Sequence, residues 1–178
     1  MLDIQAITRY KNIVEYRKNY LILFFLLSCS PKEKEPTAPA EAEQVIKKFE
    51  LTEIVEGVTN FCLEADKALL YQDKTVVYKV RLNFYSKGAP YAVLTSDSGI
   101  LLTATNDMEA MGNVVVISTE ETKLETHALK WVNTEGKIKT RDQVVITTKD
   151  NKKLVGTEFE SDPGLTHIKL KEVHGYSD

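Results

Sequence analysis

A chain of 178 residues with 43% hydrophobic and 28% charged side chains is long enough for one domain with a substantial core. A net charge of −3, with no basic stripe along the sequence, excludes a nucleic-acid footprint. Eight glycines and five prolines are too few for a low-complexity chain, and no exact internal repeat is present.

The chain opens with a basic leader, Arg9, Lys11, Arg17 and Lys18, followed by an apolar run at 20–27 (Tyr-Leu-Ile-Leu-Phe-Phe-Leu-Leu). This run is too short to span a bilayer, which needs about 20 residues, but it suits the core of a signal peptide. The next residues, Leu26-Leu27-Ser28-Cys29, resemble a bacterial lipobox, which implies cleavage before Cys29 and lipidation of its sulfur. A short uncleaved anchor is the competing reading. With Cys29 acylated, Cys62 stands alone and no disulfide framework can form; a Cys29–Cys62 bridge is the alternative. Residues 31–44 (Pro-Lys-Glu-Lys-Glu-Pro-Thr-Ala-Pro-Ala-Glu-Ala-Glu-Gln) contain no large apolar side chain and read as a flexible tether. The expected division is a signal peptide at 1–28, a lipidated cysteine and tether at 29–44, and a folded domain at 45–178.

From residue 45 onward the pattern is strand after strand. A short helical turn is admissible at 45–51, but 49–56 reads as a strand with Phe49, Leu51 and Val55 on one face. Phe61, Leu63 and Ala65 then alternate with Cys62, Glu64 and Asp66. Val76, Tyr78, Val80, Leu82 and Phe84 form the longest alternation, a period of two that marks a half-buried strand. A turn at 87–90 leads to two strands, 91–96 and 100–105, expected to form a hairpin across Asp97-Ser98-Gly99. Further strands are expected at 111–118, 123–132, 138–140, 144–147 and 154–160. In the last hairpin, Pro163 and Gly164 suit a type II turn, and 166–171 alternates Ile168 and Leu170 against His167, Lys169 and Lys171. About ten to twelve strands joined by short polar turns predict an all-β, antiparallel architecture: a sandwich, jelly roll or open barrel.

The residues of catalysis are missing. His127, His167 and His174 are scattered, and no Gly-x-Ser-x-Gly elbow or Gly-rich phosphate loop occurs. The aspartates cluster at turns, where Asp is favoured for local hydrogen bonding. We expect no enzyme, no catalytic residue, no metal site and no cofactor.

Residues 111–116 (Met-Gly-Asn-Val-Val-Val), Leu129-Lys-Trp-Val, 138–146 (Ile-Lys-Thr-Arg-Asp-Gln-Val-Val-Ile) and 154–175 together resemble the LptC family of lipopolysaccharide export proteins. The likeness covers about 49–175. It implies the OstA-like fold shared with LptA, a twisted, V-shaped antiparallel β-jelly roll. It further implies a periplasmic, membrane-held domain that passes lipopolysaccharide from the inner-membrane ABC transporter to an LptA-type bridge. LptC proteins often keep a transmembrane helix, so a lipid anchor is a departure in means. Ser30 follows the cysteine, where enteric bacteria use Asp for inner-membrane retention. That rule points to the outer membrane, while the family resemblance favours the inner one.

Phe61, Leu63, Val80, Leu82, Phe84, Leu94 and Val116 are the candidates to line an acyl-chain groove, and a dry core is the competing reading. The resemblance also implies that a C-terminal edge carrying Gly156, Thr166, Ile168 and Leu170 docks the bridge, and that an N-terminal edge meets the transporter. A lipid-binding lipoprotein of the outer membrane, LptA-like or otherwise, and a structural β-sandwich are the rival functions.

Overall fold

The computed structural model describes residues 4–7 and 42–176. The expected signal segment from residue 8, Cys29 and the tether up to residue 41 lie outside the described residues. The strands are β1 (Ile4–Ile7), β2 (Gln44–Val55), β3 (Val58–Leu70), β4 (Lys74–Ser86), β5 (Ala89–Leu102) and β6 (Met108–Ser118), then β7 (Lys123–Val132), β8 (Lys137–Thr140), β9 (Val144–Thr147), β10 (Lys153–Ser161) and β11 (Lys169–Tyr176). All belong to one 11-stranded sheet in which sequence neighbours pair antiparallel, β8 and β9 excepted. Between β7 and β10 two short strands share the space: β9 pairs both at one end and β8 pairs both at the other. The all-β, antiparallel expectation holds.

Local chemistry explains the connections. Glu56-Gly57 and Lys87-Gly88 each turn the chain with φ positive at both residues (51° and 79°, then 51° and 80°), as type I′ hairpins require. The turn after β10 differs from expectation. Gly164 has no positive φ; Leu165 does, at 58°. Gly164 is needed for space, because a Cβ there would lie 2.9 Å from Asp162 Oδ2 and 3.1 Å from the Tyr91 ring.

The long strands do not lie flat. The inward-facing set in β4 runs Val80, Leu82, Phe84 but switches to Val77 on the other side of Lys79, whose φ is 54°. One extra residue in a strand inverts which side chains face the core. The same inversion occurs in β2 between Ile46 and Phe49, in β3 between Ala65 and Ala68, in β7 between Thr126 and Leu129, and in β10 between Gly156 and Phe159. In β6 the pair Gly112-Asn113, φ 75° and 46°, makes the bend. Ladder register aligns these positions: Lys48 faces the gap at Asp66, Asp66 that at Lys79, and Lys79 that at Asp97. They form a crease across the sheet, dividing it into layer A (49–55, 58–65, 80–86, 89–96, 114–118, 123–126, β9) and layer B (44–47, 67–70, 74–78, 98–102, 108–111, 128–132, β8).

The two layers fold face to face. Phe84 of layer A meets Trp131 of layer B edge-on, ring centroids 4.8 Å apart, although their strands are not neighbours. The core is the space between the layers, and it is filled by both inner faces.

The crease, and a separate register shift between Glu53 and Ile54, correct four expectations. Residues 45–51 are strand, and the apparent helical spacing of Ile46 and Phe49 is the phase slip at Lys48. Val76 and Tyr78 are not on the inner face; Val77 is, fully buried. Asp97-Ser98-Gly99 is no hairpin turn but the bend within the continuous strand β5. The inward place at the end of β2 belongs to Glu53, while Val55 is only half-buried.

Candidate functional site: an apolar interior with two strand edges

The seven predicted groove residues come together on the inner face of layer A. Cross-strand pairing sets Phe61 beside Phe84, Leu63 beside Leu82, and Leu82 beside Leu94, which in turn pairs Val116. Val80 follows in the next inward row, opposite Ala65. This continuous band crosses β3, β4, β5 and β6. Its members are 0–3% exposed, because the inner face of layer B closes over them. The interior is therefore shut to solvent along this band.

Two devices close the far ends of the layers, one a polar cluster and the other a packed segment. Glu53, 3% exposed, projects from layer A. Its Oε1 accepts hydrogen bonds from Asn106 Nδ2 at 2.8 Å and Asn133 Nδ2 at 2.9 Å, and its Oε2 accepts one from Asn60. Asn106 and Asn133 belong to turns at the tips of layer B, so one carboxylate spans the mouth between layers. Sequence patterning does not mark this cluster, since its members are separated by up to 80 positions.

The second device is the segment after β10. Pro163, Gly164 and Leu165 are buried against the interior. Asp162 organises the segment by accepting from Thr166 Oγ1 at 2.8 Å and from the backbone N–H groups of Thr166 and His167. Burial works to raise the Asp162 carboxyl, but these hydrogen bonds outweigh it and hold it below its ordinary value. Tyr91, against which Gly164 packs, is pushed up to about 12 by burial and by the Asp162 charge. Among the described residues one buried polar atom lacks a partner, Trp131 Nε1, on the inner face near Phe84.

The predicted partner-binding residues separate. Gly156 is not on a free edge: it lies within β10, pairs with Val144, and leaves a Cβ position only 2.9 Å from the Lys171 carbonyl oxygen of β11. Thr166 is in the capped turn, not on a strand, because Asp162 captures its N–H. Ile168 precedes β11 and packs half-buried against the core. Leu170 alone lies on the last strand, also half-buried. That strand pairs only with β10 among the described residues, so its other edge is free; it carries Lys169, Lys171 and Glu172. At the first edge β1 pairs with 52–55, leaving 44–51 without an outer neighbour among the described residues.

His127, His167 and His174 are exposed and apart, and the described residues hold no group of three metal-ligating side chains. Cys62 is half-buried with its thiol pushed up, chiefly by burial. Among the described residues no helix is long and apolar enough to cross a membrane.

An antiparallel sheet creased over an apolar interior, with strand edges at both ends, is a β-jelly roll of the OstA-like type. The family model described as lipopolysaccharide-assembly, LptC-related, matches residues 19–178, and the chain belongs to the LptC family. Its role accordingly falls within lipopolysaccharide transport, at the periplasmic side of a membrane. No curated protein matches the chain.

Proposed function

We propose that the chain relays lipopolysaccharide from the inner-membrane ABC transporter to an LptA-type bridge by sheltering acyl chains between layers A and B. The observation that carries this is the unbroken apolar band of Phe61, Leu63, Val80, Leu82, Phe84, Leu94 and Val116, set in a sheet whose two ends are strand edges. Each CH₂ kept from water is worth about 0.8 kcal/mol, so a lipid with several long chains needs such a sleeve to cross an aqueous gap. Since the band is closed here, loading requires the layers to part at the crease, with Glu53 and the Asp162 segment releasing their opposite tips. No catalyst is needed, and the energy comes from the transporter.

In this reading β11 accepts a strand of the bridge, because an unpaired edge is a template for strand addition. The β2 edge meets the transporter. Cleavage before Cys29 removes β1 and frees positions 52–55 for that contact. Lipidated Cys29 then holds the domain at the inner membrane. The test is photo-crosslinking in cells from Leu82 and Phe84. Lipopolysaccharide adducts from both, absent from the outward-facing Asn83, are expected; no adduct from either refutes the sleeve.

A further inference from the structure

The two outer faces of the jelly roll differ in character. In layer A one outward row runs Glu50, Glu64, Arg81, Thr95 across four strands. The matching row in layer B runs Lys47, Lys67, Tyr78, Ser98. Directly beside it lies an apolar row, Val45, Leu69, Val76 and Ile100, each paired with the next. Beyond that row stand Lys74 and Leu102, again paired. Val45 is 50% exposed, Leu102 41% and Tyr78 39%. An apolar stripe on the solvent side of a sheet is thus flanked by lysines on both sides.

The aromatic side chains strengthen the pattern. Lys67 Nζ lies 5.5 Å from the Tyr78 ring centroid and Lys74 Nζ 5.6 Å from that of Tyr71. Lysines that lay their stems along apolar surface and carry their charge outward, together with tyrosines, are the equipment of a surface seated at a lipid headgroup layer. The acidic groups nearby are few: Glu43 and Asp73 sit at the strand ends, Asp66 lies at the crease, Asp97 is paired with Lys79 at 3.1 Å, and Glu109, which ends the apolar row opposite Ile100, has Lys130 as its partner on the next strand.

We propose that this outer face of layer B, across β2 to β5, rests on the surface of an anionic phospholipid bilayer. The charge fits: a basic stripe on a chain whose net charge is −3. Chain order fits as well. Val45 follows Cys29 by only 16 residues, a contour of at most about 55 Å, so an anchor at Cys29 holds this face near the membrane. The inference rests on the membrane-anchored reading above and adds which side of the domain faces the lipid.

The test uses the full chain in vesicles of phosphatidylethanolamine and labelled phosphatidylglycerol, with a benzophenone side chain replacing Ile100, Leu102 or, on the other face, Ile117. Phospholipid adducts from Ile100 and Leu102 at least about fivefold above Ile117 are expected. They should fall about tenfold when Lys47→Glu, Lys67→Glu and Lys74→Glu are combined, with circular dichroism unchanged. Adducts no greater than those of Ile117 in a chain that floats with the vesicles overturn this face alone. A chain that does not float overturns the anchor as well. Protein adducts replacing lipid ones in whole cells assign the face to a protein partner and also overturn the proposal.

Discussion

The carboxylate that spans the mouth of the jelly roll offers a sharp test of how the layers are held. Glu53 is 3% exposed and accepts from three asparagine amides, with no cation among its hydrogen-bond partners. Hydrogen bonds to a charged acceptor contribute about 1.5–3 kcal/mol each, offset by several kcal/mol of carboxylate desolvation. In Glu53→Gln one oxygen still serves Asn106 and Asn133, but the new NH₂ faces the NH₂ of Asn60. One charge-assisted bond becomes a donor–donor contact, and a loss of about 2 kcal/mol is expected. In Glu53→Ala all three amides lose the carboxylate, although Asn60 still donates to Asn133 Oδ1 at 3.3 Å and Asn133 to the Thr105 carbonyl at 3.4 Å, and a loss of about 3 kcal/mol is expected. Urea denaturation reads this as a midpoint lowered by about 1 M for Gln, at unchanged slope. Adding Asn60→Asp to Glu53→Gln restores an acceptor opposite the new NH₂ and should recover part of the loss, the remainder being the bond that Asn60 donates to Asn133 Oδ1. A Gln variant within about 0.5 kcal/mol of wild type, or a double variant no better than the single, refutes the cross-layer tie.

Other outcomes follow from the same geometry. Gly156→Arg must displace the Lys171 carbonyl of β11, so hydrogen exchange at 169–173 should rise sharply; unchanged protection there contradicts the packing. Gly112→Ala, at φ 75° and 2.9 Å from Asp97 Oδ2, should cost about 1–2 kcal/mol in thermal or urea unfolding. Glu160 is held down to about 2, below its ordinary 4.5, by hydrogen bonds from Lys137 and Lys169. A depressed carboxylate stabilises above its unfolded value and loses that contribution as pH falls, so acid sensitivity between about 4.5 and 2 should flatten in Glu160→Gln. Tyr91 behaves oppositely. Its raised value of about 12 means stability intact below 10 and lost as pH climbs toward 12, a decline that Tyr91→Phe should abolish in alkaline unfolding curves.

Where a strand keeps one phase, its inner face could be read from the letters alone. Phe61, Leu63 and Ala65, or Val80, Leu82 and Phe84, alternate without interruption and do face inward. The crease was hidden because most of the residues that make it, Lys48, Lys79 and Glu158, have a positive φ that is unusual for their types, and only Gly112-Asn113 has the composition of a bend. Extending the alternation through Lys79 therefore put Val76 and Tyr78 on the wrong side. Asp97-Ser98-Gly99 has the composition of a turn and of a bend alike, and only long-range pairing decides between them. The 166–171 alternation looked like strand throughout, yet the Asp162 carboxylate takes the first two N–H groups and delays β11 to Lys169. The Glu53 cluster was illegible because its partners meet only once the layers close.

Because most strands pass through the crease, the halves of this protein cannot slide past one another like stacked plates. They are joined as pages are to a spine, and the hydrogen-bonded ladders on either side of that spine couple its opening angle from strand to strand. Prying the covers apart near β2 must therefore be felt toward β11, so a cargo entering at one margin would already loosen the grip at the other.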